Sequence, residues 1–566
     1  MRRYLLAAIL SVGVAGTAWA DAQGDLKQGR DALRRGDYAT AVTRTTAAID
    51  AQTLQGERLA EAFRTRAAAR FQLRDLRSAF ADVSQALAVN PADASALALR
   101  CQIHVAGGNL QAAQGDLQSA LSIDARSGAA QVCQAGLHIR QRQFAEAVAA
   151  YDRAIAAGED TPGLRAERAT ALAMAGRPQD AIAALDQVIA GSRSAAPAQR
   201  AEWLVDRARL NAAVGRRDAA LKDLEAAIRL DPEGREQSER LFLRARLHND
   251  AGQHDRALND LNQAIGLEQN APDGRKALLF ATRGSTYAAK GDFARAIADI
   301  DGAIGLGRDV PPQVIASWYA VRGRINEAAG RPDAALQDFD TAVRLAPGDI
   351  EYLGERGRLY LRRGSTDQAL ADFQAAAQRA PNNPLPQSWL AWAYVDKGDY
   401  ARAVDLASRV VQMRPNEPVG YFDRGVFQLY LGRFAEATAD LDRALQLAPR
   451  NANAVLLAHV ARARAGAADP NLLAQRARTL DLGRWPGPLV RMFLGELSPE
   501  QALQAAGGEG DRQGRMAEAN YYAAEYYLIG GQPQHAAELF RRAVDTNRRD
   551  MLEHMAAWTE LSRLGG

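Results

Sequence analysis

The chain has 566 residues, 47% of them hydrophobic but only 6% aromatic, and its 70 Lys and Arg against 67 Asp and Glu leave a net charge of +3. The apolar fraction excludes disorder, and an alanine-rich, aromatic-poor mix favours closely packed helices over a β-rich fold. Near-neutrality excludes the overall basic footprint of a nucleic-acid or anionic-membrane binder.

The first segment, residues 1–20 (MRRYLLAAILSVGVAGTAWA), runs from a positive end through an apolar stretch to Ala18-Trp19-Ala20, the small-x-small pattern of a signal-peptidase site. We expect a signal peptide over 1–20, cleavage near Ala20, and a periplasmic or secreted protein. The apolar stretch is shorter than the ~20 residues of a spanning helix, so no transmembrane segment is expected in the mature chain. No cysteine stands at the cleavage point, so no lipid anchor is expected there. Cys101 and Cys133 are the only two cysteines. In an oxidising space they could form one disulfide, or both could be small buried residues, and the sequence leaves both readings open.

From residue 21 a repeat organises the chain up to about 452. Its motif is Gly, Ala five residues on, and a second Ala seven later, with anchors at 36, 74, 108, 142, 176, 215, 252, 291, 330, 364, 398 and 432. Six of the eleven intervals are 34 residues and five are 37 to 39. The first slot is alanine in all twelve units; the second is alanine in ten, with Val188 and Val410 the exceptions. Small residues seven apart share one helix face and let a partner helix approach closely. Proline closes six units, where the chain leaves one helix for the next. Arg74 and Arg142 replace the turn glycine in two units.

This pattern resembles the tetratricopeptide repeat, a helix-turn-helix unit. The resemblance implies an all-α fold, a right-handed α-α superhelix of about 12 to 14 helical hairpins ending in a C-terminal capping helix, in which each hairpin contacts chiefly its neighbours.

The units carry an internal correlation. An arginine stands eight residues before the anchor in nine of them, and an aspartate eight residues after it in eight of those nine. We expect Arg–Asp bridges between the two helices of a hairpin for Arg66–Asp82, Arg100–Asp116, Arg207–Asp223, Arg244–Asp260, Arg283–Asp299, Arg322–Asp338, Arg356–Asp372 and Arg424–Asp440. Arg168, facing Ala184, breaks the rule. The Asp-x-Asp triplets at 299–301, 338–340 and 440–442 recur at one repeat position, which favours structure over metal binding.

In tetratricopeptide superhelices the first helix of each hairpin lines the groove. The family's lining slots put Arg209, Arg246, Arg324 and Arg358 in one equivalent position, with Glu202, Glu239 and Glu351 seven residues before three of them. Either the arginines grip carboxylates of an extended peptide, or the glutamates neutralise them. Further along, the same slots hold Trp392, Val395, Val419, Phe422, Val426 and Leu429. This apolar set is either a partner-binding patch or a surface on which the C-terminal region packs.

Residues 453–566 depart from the array. Asn471 and Arg478 replace the two alanines, residues 484–506 interrupt the pattern, and a good unit returns at Gly531, Ala536 and Ala543 before a final helix. Over 417–564 the ordering of Arg424-Gly425, Trp485, Phe493-Leu494-Gly495, Ser498, Asn520-Tyr521-Tyr522, Glu525-Tyr526-Tyr527-Leu528, Glu553-His554 and Glu560-Leu561 resembles the NlpI-like envelope lipoproteins. The resemblance implies an adaptor that brings peptidoglycan hydrolases to a processing protease or to each other, and leaves a homodimer open. The lipoprotein cysteine is missing here and the array is far longer, so neither anchoring nor partner positions before 417 carry over.

No phosphate loop, His-Glu-x-x-His helix, Gly-x-Ser-x-Gly elbow or clustered cysteine pair occurs, and the seven histidines are scattered. We expect no enzyme activity, cofactor or metal, and no nucleic-acid partner. The expected role is a periplasmic scaffold or adaptor for proteins or extended peptides of the cell envelope. The alternative is a structural component of a secretion, pilus or envelope assembly complex.

Overall fold

The computed structural model describes residues 19–193, 195–234, 236–269, 272–508, 511–548 and 551–565, so most of the expected signal peptide (1–18) lies outside the described residues. The chain divides into two compact units, Met1–Ala271 and Pro272–Gly566. Each is a stack of antiparallel helical hairpins, with no strand among the described residues.

The repeat anchor is the hairpin turn. Gly291 (φ 78°) and Gly330 (φ 72°) adopt the left-handed conformation that ends the first helix, as the other anchor glycines do. Arg74 (φ 65°) and Arg142 (φ 60°) take the same conformation despite their Cβ atoms, at a cost of about 1–2 kcal/mol each. The next residue often caps the second helix: Asp292 accepts the Arg295 N–H at 3.2 Å, and Asp37, Asp75, Asn109 and Asp399 do likewise.

Both alanine slots are where the hairpin closes. All twelve alanines of the first slot, Ala41 to Ala437, are fully buried. A third small slot, seven residues before the anchor, faces the residue nine after it. A Cβ built on Gly323 would stand 2.9 Å from the Phe339 ring, and one on Gly425 2.8 Å from Leu441. The ring of Phe339 is fully buried because its partner position has no side chain.

Neighbouring hairpins stack through both helices, and the first helices of successive hairpins also approach one another, as Ala94–Ala106 does Gly128–Arg140. The second helices do so less, so within each unit the stack curves with its first helices inside. Cys101 and Cys133 lie on this pair of first helices, with Cα atoms 6.0 Å apart, and are joined in a disulfide.

After 452 the spacing fails for a physical reason. The helix Pro470–Ala477 has only 8 residues, and it buries Leu473 and Ala477 while Asn471 and Arg478 stay exposed. Two short helices, Gly487–Phe493 and Pro499–Ala505, lead to the hairpin Arg512–Ile529/Pro533–Asp545 and the capping helix Leu552–Arg563. Residues from Ala369 to Leu561 share one hydrophobic core, so the last hairpins of the array and the C-terminal region fold against each other.

Candidate functional site

All eight expected Arg–Asp bridges form. In each, Nε and Nη2 donate to the carboxylate at 2.5–3.1 Å. The carboxylates are only 2–11% exposed. Several of the arginines reach further. Through Nη1, Arg207 bonds Asp186 (2.6 Å), Arg322 bonds Asp301 (2.5 Å) and Arg356 bonds Asp340 (2.9 Å), each on the second helix of the preceding hairpin. Arg66 and Arg424 make the same reach to Thr46 and Ser408, at 3.2 and 3.3 Å.

Arg168 is the exception within its own hairpin and pairs instead with Asp152 of the preceding one, at 2.5 Å. The tie to the preceding hairpin also explains two of the Asp-x-Asp triplets. Asp299 and Asp338 close their own hairpins, while Asp301 and Asp340 hold the arginine of the next. In the third, Asp442 binds Arg462 and Arg476 of the decayed unit. The signal for this tie, a polar residue ten positions after the anchor, was present in the sequence but pointed outside the unit.

The groove arginines all lie exposed on first helices. Arg209 pairs with Glu239 and stands 3.5 Å from Asp206. Arg246 has no ion pair among the described residues and shares a cleft of about 360 Å³ with Arg209. Arg324 and Arg358 both turn to Glu355, at 3.7 and 2.8 Å, and Arg358 also covers the Trp389 ring at 6.0 Å. Of the three expected neutralising glutamates only Glu239 makes such a pair; Glu355, one of the actual partners, was not singled out.

The apolar set separates into two groups. Val426 (0% exposed) and Leu429 (6%) are core residues, and Val395 (2%) is buried but borders the cleft beside Trp392. Val419 is exposed and Phe422 is half-buried against the core. Trp392 is half-buried and packs edge-on to Phe427 at 4.9 Å. The capping helix explains the burial. Tyr430 donates to the Leu552 carbonyl at 2.9 Å, Tyr400 and Thr559 hydroxyls meet at 3.0 Å, and Arg563 donates to the Leu429 carbonyl at 3.1 Å. Arg464 ties Glu525 and Glu560 together at 3.0 Å each.

An opening survives beside this helix. It is a cleft of about 660 Å³ lined by the hairpin turning at Gly364, by the helix carrying Trp392 and Val395, and by Asn547, Met551, Leu552 and Met555. Beneath it lie buried acids. Burial pushes Asp423 up to about 7 against the pull of the Trp392 indole N–H. Burial, reinforced by repulsion from Glu518, pushes Glu553 up to about 8. In the first unit, burial raises Glu167 against the hydrogen bond from Tyr151 and the charge of Arg74, and burial with repulsion from Asp206 raises Glu202 against Arg240 and Arg74.

Models of the family described as tetratricopeptide repeat match residues 134–197, 281–350, 355–418 and 390–462. Among solved structures, the chain is similar to a tetratricopeptide repeat protein from Parabacteroides merdae, at 20% identity and TM-score 0.36 over 46% of this chain and 98% of that one. It is also similar to the APC/C hetero-tetramer Cut9-Hcn1, at 12% identity and TM-score 0.39 over 95% of each chain. Yeast Tom70 is similar at 15% identity and TM-score 0.38, over 84% of this chain and 99% of its own. With the turn, alanine and bridge geometry above, the family matches establish that the chain carries tetratricopeptide repeats, the helical hairpins from which protein-interaction scaffolds are built.

Proposed function

We propose that the protein is a non-enzymatic scaffold of the bacterial cell envelope, working in the periplasm or outside the cell and holding envelope proteins on the inner faces of its hairpin stacks. The observation that carries this reading is the open cleft in the second unit, where exposed arginines and a fixed tryptophan line an inner face otherwise closed by the chain's own capping helix. Export is supported by the leader-like residues 1–20 and by the Cys101–Cys133 disulfide, a bond that persists in oxidising compartments. The resemblance of residues 417–564 to NlpI-like proteins supports peptidoglycan hydrolases or a processing protease as cargo.

The test is cell fractionation followed by cross-linked capture with a tagged chain at native abundance. Defined hydrolases or a protease, recovered from the envelope fraction in variable ratio, are the expected result. Recovery in a fixed stoichiometric complex instead assigns the protein to an assembly machine. A cytoplasmic chain with no captured partner refutes the reading.

A further inference from the structure

The cleft beside the capping helix has a chemical polarity that narrows what it can hold, and this inference rests on the scaffold reading above. Its volume of about 660 Å³ lies within the range of about 300–1,000 Å³ typical of ligand pockets. One wall carries three guanidinium groups, Arg358, Arg362 and Arg363, at the end of the helix Ile350–Arg362 and its turn. Asp396 is the only carboxylate among the described residues lining it, and it already accepts the Thr366 hydroxyl.

Each of these arginines has a carboxylate partner away from the cleft. Arg358 pairs with Glu355, Arg362 with Glu327 and Arg363 with Asp333. The arginine side chains remain 44%, 50% and 36% exposed, although Glu355 and Glu327 are themselves only 18% and 24% exposed, so each guanidinium keeps a face open to solvent. A guanidinium has five N–H donors, and one carboxylate satisfies at most two, so donors remain for a further anion.

Much of the remaining lining is apolar. The Trp392 ring packs edge-on against Phe427 and is bonded to Asp423, and Met551, Leu552 and Met555 line the same cleft. A rigid aromatic beside flexible thioethers accommodates bulky side chains of varied shape.

We propose that this cleft docks an acidic, apolar stretch of a partner polypeptide, with side-chain carboxylates against Arg358, Arg362 and Arg363 and a bulky apolar side chain against Trp392 and the two methionines. Charge complementarity selects this occupant: a basic segment meets three guanidiniums, and a wholly apolar one leaves the arginine wall unused. The capping helix thus serves as one jaw of the site as well as an end cap.

A phage-displayed random-peptide library panned on the full chain tests this, with selected sequences resynthesised as C-terminal amides and titrated by fluorescence anisotropy. The expected consensus has Asp or Glu beside an aromatic or large aliphatic residue. Arg362→Gln/Arg363→Gln should weaken binding by about tenfold, the loss of charge-assisted hydrogen bonds. Asp396→Asn, which keeps the acceptor for Thr366, should tighten it by about threefold. The second variant tests the assignment even if the first is less stable. A basic or purely apolar consensus, no enrichment, or an affinity that neither variant moves overturns the proposal. If envelope capture succeeds but these variants leave it and the peptide affinity unchanged, the cleft assignment fails while the scaffold reading stands; if no partner is captured, the scaffold reading itself fails.

Discussion

Replacing Asp338 with alanine tests the physical account of the array. Asp338 is 3% exposed and accepts Arg322 Nη2 at 2.6 Å, Arg322 Nε at 3.1 Å and the buried Asn326 amide at 2.9 Å. Its removal leaves a largely buried guanidinium with Asp301 as its one carboxylate partner and the Tyr319 ring beneath it, and takes away the acceptor of the Asn326 amide. Breaking a buried pair from one side costs about 3–5 kcal/mol, and because the Arg322 side chain keeps 23% exposure the lower end applies. Asp301→Ala removes the tie to the preceding hairpin instead, but Asp301 is 52% exposed, so its loss should cost at most about 1 kcal/mol. Stacked repeats unfold locally and not always as one, so the assay is native-state hydrogen exchange of helices Pro312–Ala328 and Pro332–Leu345. Protection in both helices should fall by about two orders of magnitude in Asp338→Ala and by under tenfold in Asp301→Ala. Equal effects, or no change in Asp338→Ala, would refute the idea that burial of the within-hairpin pair sets its weight.

Further outcomes follow from the same geometry. Reduction of the Cys101–Cys133 bond, which closes a 32-residue separation, should cost about 4 kcal/mol by chain entropy, read as a lower melting temperature of the first unit in dithiothreitol; an unchanged melt would mean the bridge constrains nothing. Gly323→Ala should destabilise by about 1–3 kcal/mol because its Cβ meets the Phe339 ring at 2.9 Å. Gly302→Ala, which meets nothing within 4 Å, should stabilise by about 0.5–1 kcal/mol, both read by denaturant melts. For Glu553 the folded pKa of about 8 lies above the unfolded value, so the folded state binds the extra proton. Its contribution is therefore complete below about pH 4.3 and is lost as pH rises to about 8. Asp423, raised to about 7, acts in the same direction. The second unit should lose stability between pH 5 and 8, at a slope of up to about 1.4 kcal/mol per pH unit for each of these acids, and Glu553→Gln should reduce the slope by one such share; an unaltered slope would exclude Glu553 as a source of it.

The opposed arginine and aspartate slots were legible because they lie 16 residues apart across one turn, and the period of 34 to 39 residues repeats that pair in eight of twelve units. The same locality made the tie from each arginine to the preceding hairpin hard to see, since a unit read by itself does not contain it. In the C-terminal region the repeat stops and the partners become remote. Tyr400 meets Thr559 across 159 residues and Tyr430 meets Leu552 across 122, and no periodicity encodes such distances.

The sequence alone therefore determined the helical hairpins, their turns, their small-residue contacts and the eight bridges within hairpins, because all of these are set by neighbours one turn away in a repeated pattern. Only the tertiary structure decided that Cys101 and Cys133 are bonded, that Val426 and Leu429 are core and not groove, and that Trp392 lines a cleft. Those outcomes depend on how hairpins stack and where the last helix folds back. Packing of that kind is chosen by the burial of whole faces, which the order of residues along one helix does not record.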